Sequence, residues 1–242
     1  MNKNNTFEEF LKIIETLRGE NGCPWDREQT HTSLKPCVME EAAELVCAIR
    51  IYDQTGNSEN MQEELGDLLL QVVMHSQIAQ EEGLFTIEDV INTVSEKMIR
   101  RHPHVFGSVY AENSDQVLNN WEEIKKAEKE GKSWIESPLR EIPPELPSLT
   151  RAVKVTKKIH KNYESRRDFK EAAAYLKQLV KRMEALEPEP YDAGLTDTMG
   201  ELLLTAADIC RRYKLAPEQI LTDKIEDLIE RYEPSDLFIK NT

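Results

Sequence analysis

Six carboxylates fall in two short clusters, Met39-Glu40-Glu41-Ala42-Ala43-Glu44 and Glu63-Glu64-Leu65-Gly66-Asp67, and five of them, all but Glu63, are considered as one group. On a helix, Glu41 and Glu44 share a face, as do Glu64 and Asp67, because residues three apart lie one above the other. An acidic face exposed to water normally carries lysine or arginine three or four residues away. Glu40, Glu41, Glu44, Glu64 and Asp67 have none at those positions, whereas Glu122 and Glu123 sit beside Lys125 and Lys126. Like charges left unpaired repel one another unless a cation neutralises them. The neighbours are apolar: Ala42, Ala43, Leu45, Val46 and Ile49 around the first cluster, and Leu65, Leu68, Leu69, Leu70, Val72 and Val73 around the second. That run implies burial on most sides. Oxygen-only ligands favour magnesium, with manganese as a substitute, over zinc. On the residues alone, a metal site and a plain acidic face both stand.

A di-iron bundle would add a Glu-x-x-His pair on other helices. His75 lies eleven residues after Glu64 and reads as a satisfied helix histidine. No nucleophile triad and no Gly-x-x-x-x-Gly-Lys phosphate loop is present.

A local reversal of charge occurs at Lys97-Met98-Ile99-Arg100-Arg101. Lys97 and Arg101 are one turn apart and can grip phosphate oxygens, the arginine bidentately. Cations at a helix C-terminus also stabilise the helix dipole, which is the competing role. Trp121 and Lys125 place an aromatic ring and a cation one turn apart, able to stack a base and meet a phosphate. Spacing alone favours Trp121 as a helix anchor. The turn-rich loop Asn21-Gly22-Cys23-Pro24-Trp25-Asp26 presents a second tryptophan, Trp25, and His102 and His104 flank Pro103 in a turn.

The elements that must position these groups are helical throughout, and no stretch alternates as a strand would. Helices are expected at about 6–19, 33–54, 58–82, 86–101 and 115–131, then 148–163, 167–186, 195–214 and 217–232. Thr6 with Glu9, and Thr86 with Asp89, form capping boxes. Pro103 closes the fourth helix. The stretch 137–147 holds four of the eleven prolines and reads as a linker. Across it, Glu64-Leu65-Gly66-Asp67-Leu68-Leu69-Leu70 resembles Thr198-Met199-Gly200-Glu201-Leu202-Leu203-Leu204, the mark of a repeated helical unit.

The chain has 242 residues and a net charge of −14, which argues against binding a nucleic-acid polymer. No apolar run approaches the ~20 residues that span a bilayer. Cys23, Cys37, Cys47 and Cys210 form no metal or disulfide framework and read as reduced thiols of a cytoplasmic protein.

Together these residues resemble the MazG family of all-α nucleoside triphosphate pyrophosphohydrolases. The resemblance rests on Gly22 to Asp26, Glu40 to Glu44, Glu64 to Asp67, and Arg100-Arg101-His102-Pro103-His104-Val105-Phe106-Gly107. It implies two tandem helical domains of four-helix-bundle type: a catalytic one at 1–135, a proline-rich linker at 136–147, and a degenerate one at 148–242. It implies magnesium ligands at Glu41, Glu44, Glu64 and Asp67, with Glu40 or Glu41 handling the attacking water. Substrate contacts then fall to Lys97, Arg101, Trp121, Lys125 and Trp25. In the second half, Thr198 stands opposite Glu64, Lys177, Gln178 and Lys181 opposite Glu40, Glu41 and Glu44, and Asp227 opposite Lys97. No metal cage can be built from those residues. The expectation is a magnesium-dependent hydrolase, homodimeric, that converts nucleoside triphosphates to monophosphate and pyrophosphate and cleans the nucleotide pool. A nucleotide-sensing module and a helical scaffold are the non-enzymatic alternatives.

Overall fold

The computed structural model describes residues 5–128, 137–163, 167–186 and 189–233. Among them every regular element is a helix, as expected, and they divide into two compact units, one ending at Glu128 and one following it. Residues 129–131, where the fifth expected helix ends, lie outside the described residues, as do 1–4, 132–136, 164–166, 187–188 and 234–242 of the expected domain and linker ranges.

The first unit contains α1 (Phe7–Arg18), α2 (Pro24–Glu28), α3 (Lys35–Thr55), α4 (Glu59–Glu81), α5 (Ile87–Arg101), α6 (Pro103–Phe106) and α7 (Ser114–Ala127). Both expected capping boxes are present. The Thr6 hydroxyl accepts from the Glu9 amide at 3.3 Å while the Glu9 carboxylate accepts from the Thr6 amide at 2.9 Å. Thr86 and Asp89 repeat the arrangement at α5. Each cap satisfies orphan amides and contributes about 1 kcal/mol. The chain leaves α5 at His102 and re-enters a helix with Pro103 in its first turn. The short helices α2 and α6 were not expected, because one turn is too short to show a period.

Helix α3 lies along α4, and α1 packs on α4 and on α2. Ile14, Leu34, Val73, Met74 and Ile78 form the core, with Phe10, Leu11, Leu17, Cys37 and Leu70 packed around it. Burial of each large side chain contributes about 1.5–3 kcal/mol. Arg18 clamps this end of the unit. Its guanidinium donates to the Glu81 carboxylate at 2.7 and 2.9 Å and to the carbonyls of Asp26 and Gln29. One side chain therefore ties α1 and α4 to α2. Gly22 makes that turn possible: a Cβ there would lie 2.2 Å from the Leu17 carbonyl oxygen. Only glycine lets two backbones approach so closely.

The apolar neighbours of the acids divide between two environments. Val73 is 2% exposed, but Val46, Ile49, Leu65, Leu69 and Val72 are 41–53% exposed. The expected burial on most sides is therefore not met within the single chain. Helix α4 directs one face into the core and, with α3, leaves a second apolar face open.

The second unit contains α8 (Ser148–Asn162), α9 (Phe169–Glu184), α10 (Ala193–Arg212) and α11 (Pro217–Tyr232). Helix α10 packs on the other three, and α8 also meets α11. Residues 137–147 are turns and bends, with Ile142 buried and the Glu141 carboxylate paired to Lys158. This proline-rich stretch is packed onto the second unit.

Candidate metal centre

The antiparallel hairpin of α3 and α4 brings the two acidic clusters together. Glu41, Glu64 and Asp67 each offer a carboxylate oxygen, and the three oxygens lie within 4.8 Å of one another. Glu64 and Asp67 come from consecutive turns of α4, and Glu41 faces them from α3. The Glu64 carboxylate accepts a hydrogen bond from Asn60 at 2.7 Å, one turn earlier, which orients it. Asn60 escaped the sequence reading, although its place four residues before Glu64 is the signal.

Burial pushes the Glu41 carboxyl above its ordinary range, and the charges of Asp67, Glu44, Glu64 and Glu40 push it further. All five acids therefore act at one point. Glu40 and Glu44 are exposed; they lie outside the three-oxygen group and affect Glu41 through their charge. Among the described residues, no ion pair neutralises Glu41, Glu44, Glu64 or Asp67. Converging hard oxygens with excess negative charge fit a small divalent cation, which completes its coordination with water or phosphate oxygens. The donor set is suited to magnesium or manganese and contains no thiol or imidazole.

The expected phosphate and base contacts are carried by α5 and α7. Lys97 is half-buried on α5. Arg101 is held by Glu128, with Nη2 at 2.5 Å from Oε2 and Nε at 3.0 Å, and Arg100 reaches the same carboxylate at 2.8 Å. These hydrogen bonds, Arg101's foremost, pull the Glu128 carboxyl down to about 2. Glu128 was not anticipated: a partner 27 residues away has no periodic signal. Trp121 packs its ring 6.1 Å from that of His102, whose Nδ1 bonds the Met98 carbonyl at 2.7 Å. The Trp121 indole N–H is buried without a hydrogen-bond partner among the described residues, as is His104 Nδ1. Trp121 is thus packed at this helix junction. Lys125 is exposed one turn later, and Trp25 on α2 is 61% exposed.

His75 is partnered, as expected. Its ring stacks on His31 with centroids 5.1 Å apart and planes 2° from parallel, and the two Nδ1 atoms are 2.8 Å apart. Burial, then His31, lowers the His75 pKa, which favours its neutral form.

The corresponding positions of the second unit are occupied differently. Thr198, opposite Glu64, is fully buried and donates to the Gly194 carbonyl at 2.7 Å. Glu201, opposite Asp67, accepts from the Tyr175 hydroxyl at 3.1 Å. Asp227, opposite Lys97, pairs with Lys224 at 2.5 Å. Among the described residues, the one group of three converging ligand side chains in the chain is that of Glu41, Glu64 and Asp67.

Comparison with known proteins finds relatives along most of the chain. Residues 29–106 match the MazG nucleotide pyrophosphohydrolase domain, a span that contains all five acids. The chain is 39% identical over 235 residues to the nucleoside triphosphate pyrophosphohydrolase/pyrophosphatase MazG of Thermotoga maritima, covering 97% of this chain and 87% of that one. It is 43% identical over 217 residues to the uncharacterized protein YabN of Bacillus subtilis, covering 89% of this chain and 43% of the relative. With the nucleoside triphosphate pyrophosphohydrolase of Escherichia coli K12 it shares 46% identity over 155 residues, which is 64% of this chain and 57% of that protein. The chain thus spans about half the length of these last two relatives.

Proposed function

As this chain belongs to the MazG family of nucleotide pyrophosphohydrolases, we propose that it hydrolyses nucleoside triphosphates to the monophosphate and pyrophosphate. The observation that carries the reading is the convergence of Glu41, Glu64 and Asp67 without a neutralising partner among the described residues. Glu44, one turn along α3, completes the ligand set by turning its exposed side chain inward. Magnesium bound there would neutralise these acids and withdraw charge from the phosphate oxygens of the substrate.

The chain's own groups supply the rest. One carboxylate, Glu40 or Glu41, orients or deprotonates the attacking water. Lys97 and Lys125 meet negative charge on the phosphates, and Arg101 joins them by exchanging Glu128 for a phosphate oxygen. Trp25 and Trp121 contact the nucleoside, with no preference for a particular base.

Residues 1–135 form the catalytic domain in this reading, and 148–242 a degenerate copy. The open apolar face of α3 and α4 supports a homodimer, since contiguous exposed apolar patches mark association sites. The role is housecleaning of the nucleotide pool. No described helix is long and apolar enough to cross a membrane.

The test is turnover against a panel of nucleoside triphosphates, with and without magnesium, following monophosphate and pyrophosphate. Release of both, only with the metal, supports the reading. Binding without turnover would make the chain a nucleotide sensor, and neither would leave a helical scaffold.

A further inference from the structure

The second unit, although it holds no acidic cage, contains a cationic cleft. Asp208 on α10 is almost buried and organises it. Its Oδ1 accepts from Arg211 Nε at 2.9 Å, and its Oδ2 accepts from Arg212 Nε at 2.9 Å and Nη2 at 2.8 Å. Arg211 Nη2 also donates to His160 Nδ1 at 2.7 Å, the imidazole accepting because a guanidinium offers only donors. Burial opposes ionisation of Asp208, but the two arginines more than offset it and hold the carboxyl below its ordinary range. Both guanidinium groups are therefore fixed in place, and neither Nη1 makes a hydrogen bond within the described residues.

These groups line an open cleft of about 550 Å³ together with Lys157 and Lys161, which lie one turn apart on α8. The two arginines held by Asp208 thus share a rim with two lysines, in a chain whose net charge is −14. A smaller pocket of about 220 Å³ adjoins it, sharing His160 and Arg212, and its walls include Ile159, Ala172, Leu204 and Thr205. Arginine forks held rigidly by a buried carboxylate are pre-organised for phosphate oxygens.

We propose that this cleft binds the diphosphate group of a small phosphorylated ligand, on Arg211, Arg212, Lys157 and Lys161. The site is separate from the acids of α3 and α4, and the proposal does not depend on their activity. Two sources share this chemistry. An inorganic diphosphate would occupy the cationic cleft alone, and a nucleoside diphosphate would also place its base in the adjoining pocket, whose lining further includes Arg167, Glu201 and Asp208.

The experiment is calorimetric titration of the full-length protein with inorganic pyrophosphate, at low salt and with magnesium removed by chelation. The expected result is a site weakened about tenfold or more in the Lys157→Gln/Lys161→Gln double variant, as loss of charge-assisted contacts predicts. Arg212→Gln should weaken it at least as much. It also strips a donor from buried Asp208, so the lysine pair, at the rim, provides the test if that variant fails to fold. Lys97→Ala should leave this binding unchanged. ADP that binds as tightly as pyrophosphate or tighter, with the same lysine dependence, would identify a nucleotide; weaker ADP binding would identify the inorganic anion. Absence of pyrophosphate binding, binding indifferent to the lysine pair, or binding lost only in Lys97→Ala would overturn the proposal.

Discussion

Glu41 on α3 and Asp67 on α4 hold carboxylate oxygens within 4.8 Å of each other, and Asp67 is the strongest of the four charges acting on Glu41. With no metal bound, that contact is repulsive. The Glu41 pKa is higher in the folded chain than in the unfolded one. Its stabilising contribution is thus present below the unfolded value and lost as pH rises through the folded one, which leaves a penalty at neutral pH. Glu41→Gln removes the penalty. Its metal-free melting temperature at pH 7 should exceed that of the wild type by a few degrees, and the difference should vanish near pH 4. A variant less stable than wild type at pH 7 would show that Glu41 already has a neutralising partner.

Glu128 and Arg101 behave in the opposite sense. The Glu128 carboxyl is depressed to about 2, so its contribution is present above the ordinary carboxylate range and lost as pH falls from about 4.5 through 2. Glu128→Gln should destabilise the first unit by about 1–2 kcal/mol at neutral pH, as loss of charge-assisted bonds does, and flatten that part of the acid denaturation curve. Denaturant melts at pH 7 and pH 2 measure both effects.

Lys97→Ala should raise the KM for triphosphate about tenfold, since a charge-assisted contact contributes ~1.5–3 kcal/mol. Arg101→Ala should do the same and also lower stability, because it removes the stronger of the two arginine partners of Glu128 and leaves only Arg100. Altered melting with unchanged kinetics in both variants would assign these cations to the helix terminus alone.

Arg18→Ala removes the bonds that tie α1, α2 and α4 together. With the arginine side chain 6% and the Glu81 side chain 38% exposed, the loss should be about 1.5–3 kcal/mol, the scale of hydrogen bonds to a charged group. Chemical denaturation measures it, and a loss below about 0.5 kcal/mol, the scale of exposed pairs, would contradict the clamp.

Much of this structure was legible from spacing. The capping boxes at Thr6 and Thr86, the close of α5 at Pro103 and the shared face of Glu64 and Asp67 are local relations that one or two helical turns decide. The lack of basic neighbours left a metal site and an acidic face both open, and the grouping of Glu41 with Asp67 came from the family resemblance. What escaped were contacts between residues far apart in sequence: Arg101 with Glu128, Arg18 with Glu81, His31 with His75, and the alignment of Lys157 and Lys161 with Arg211 and Arg212. Each depends on which helix faces rotate toward each other, and packing decides that. The open apolar face of α3 and α4 was misread as buried for the same reason, since periodicity identifies an apolar face without identifying what covers it.

Glu201→Ala should leave turnover and magnesium dependence unchanged, although it costs the Tyr175 hydroxyl its acceptor. One carboxylate cannot provide the oxygens that magnesium requires. Kinetics of the full-length variant across a magnesium titration decide this, and lost activity would show that the second unit takes part in the chemistry.

The most direct test of the central claim is pyrophosphate release by Glu41→Ala and Asp67→Ala as magnesium is titrated. The carboxylate cage predicts that both variants fold, that both lose magnesium-dependent release by at least about a hundredfold, and that added magnesium no longer raises their melting temperature as it does for the wild type. Wild-type turnover in either variant, with the magnesium-dependent rise in melting temperature retained, would contradict the assignment.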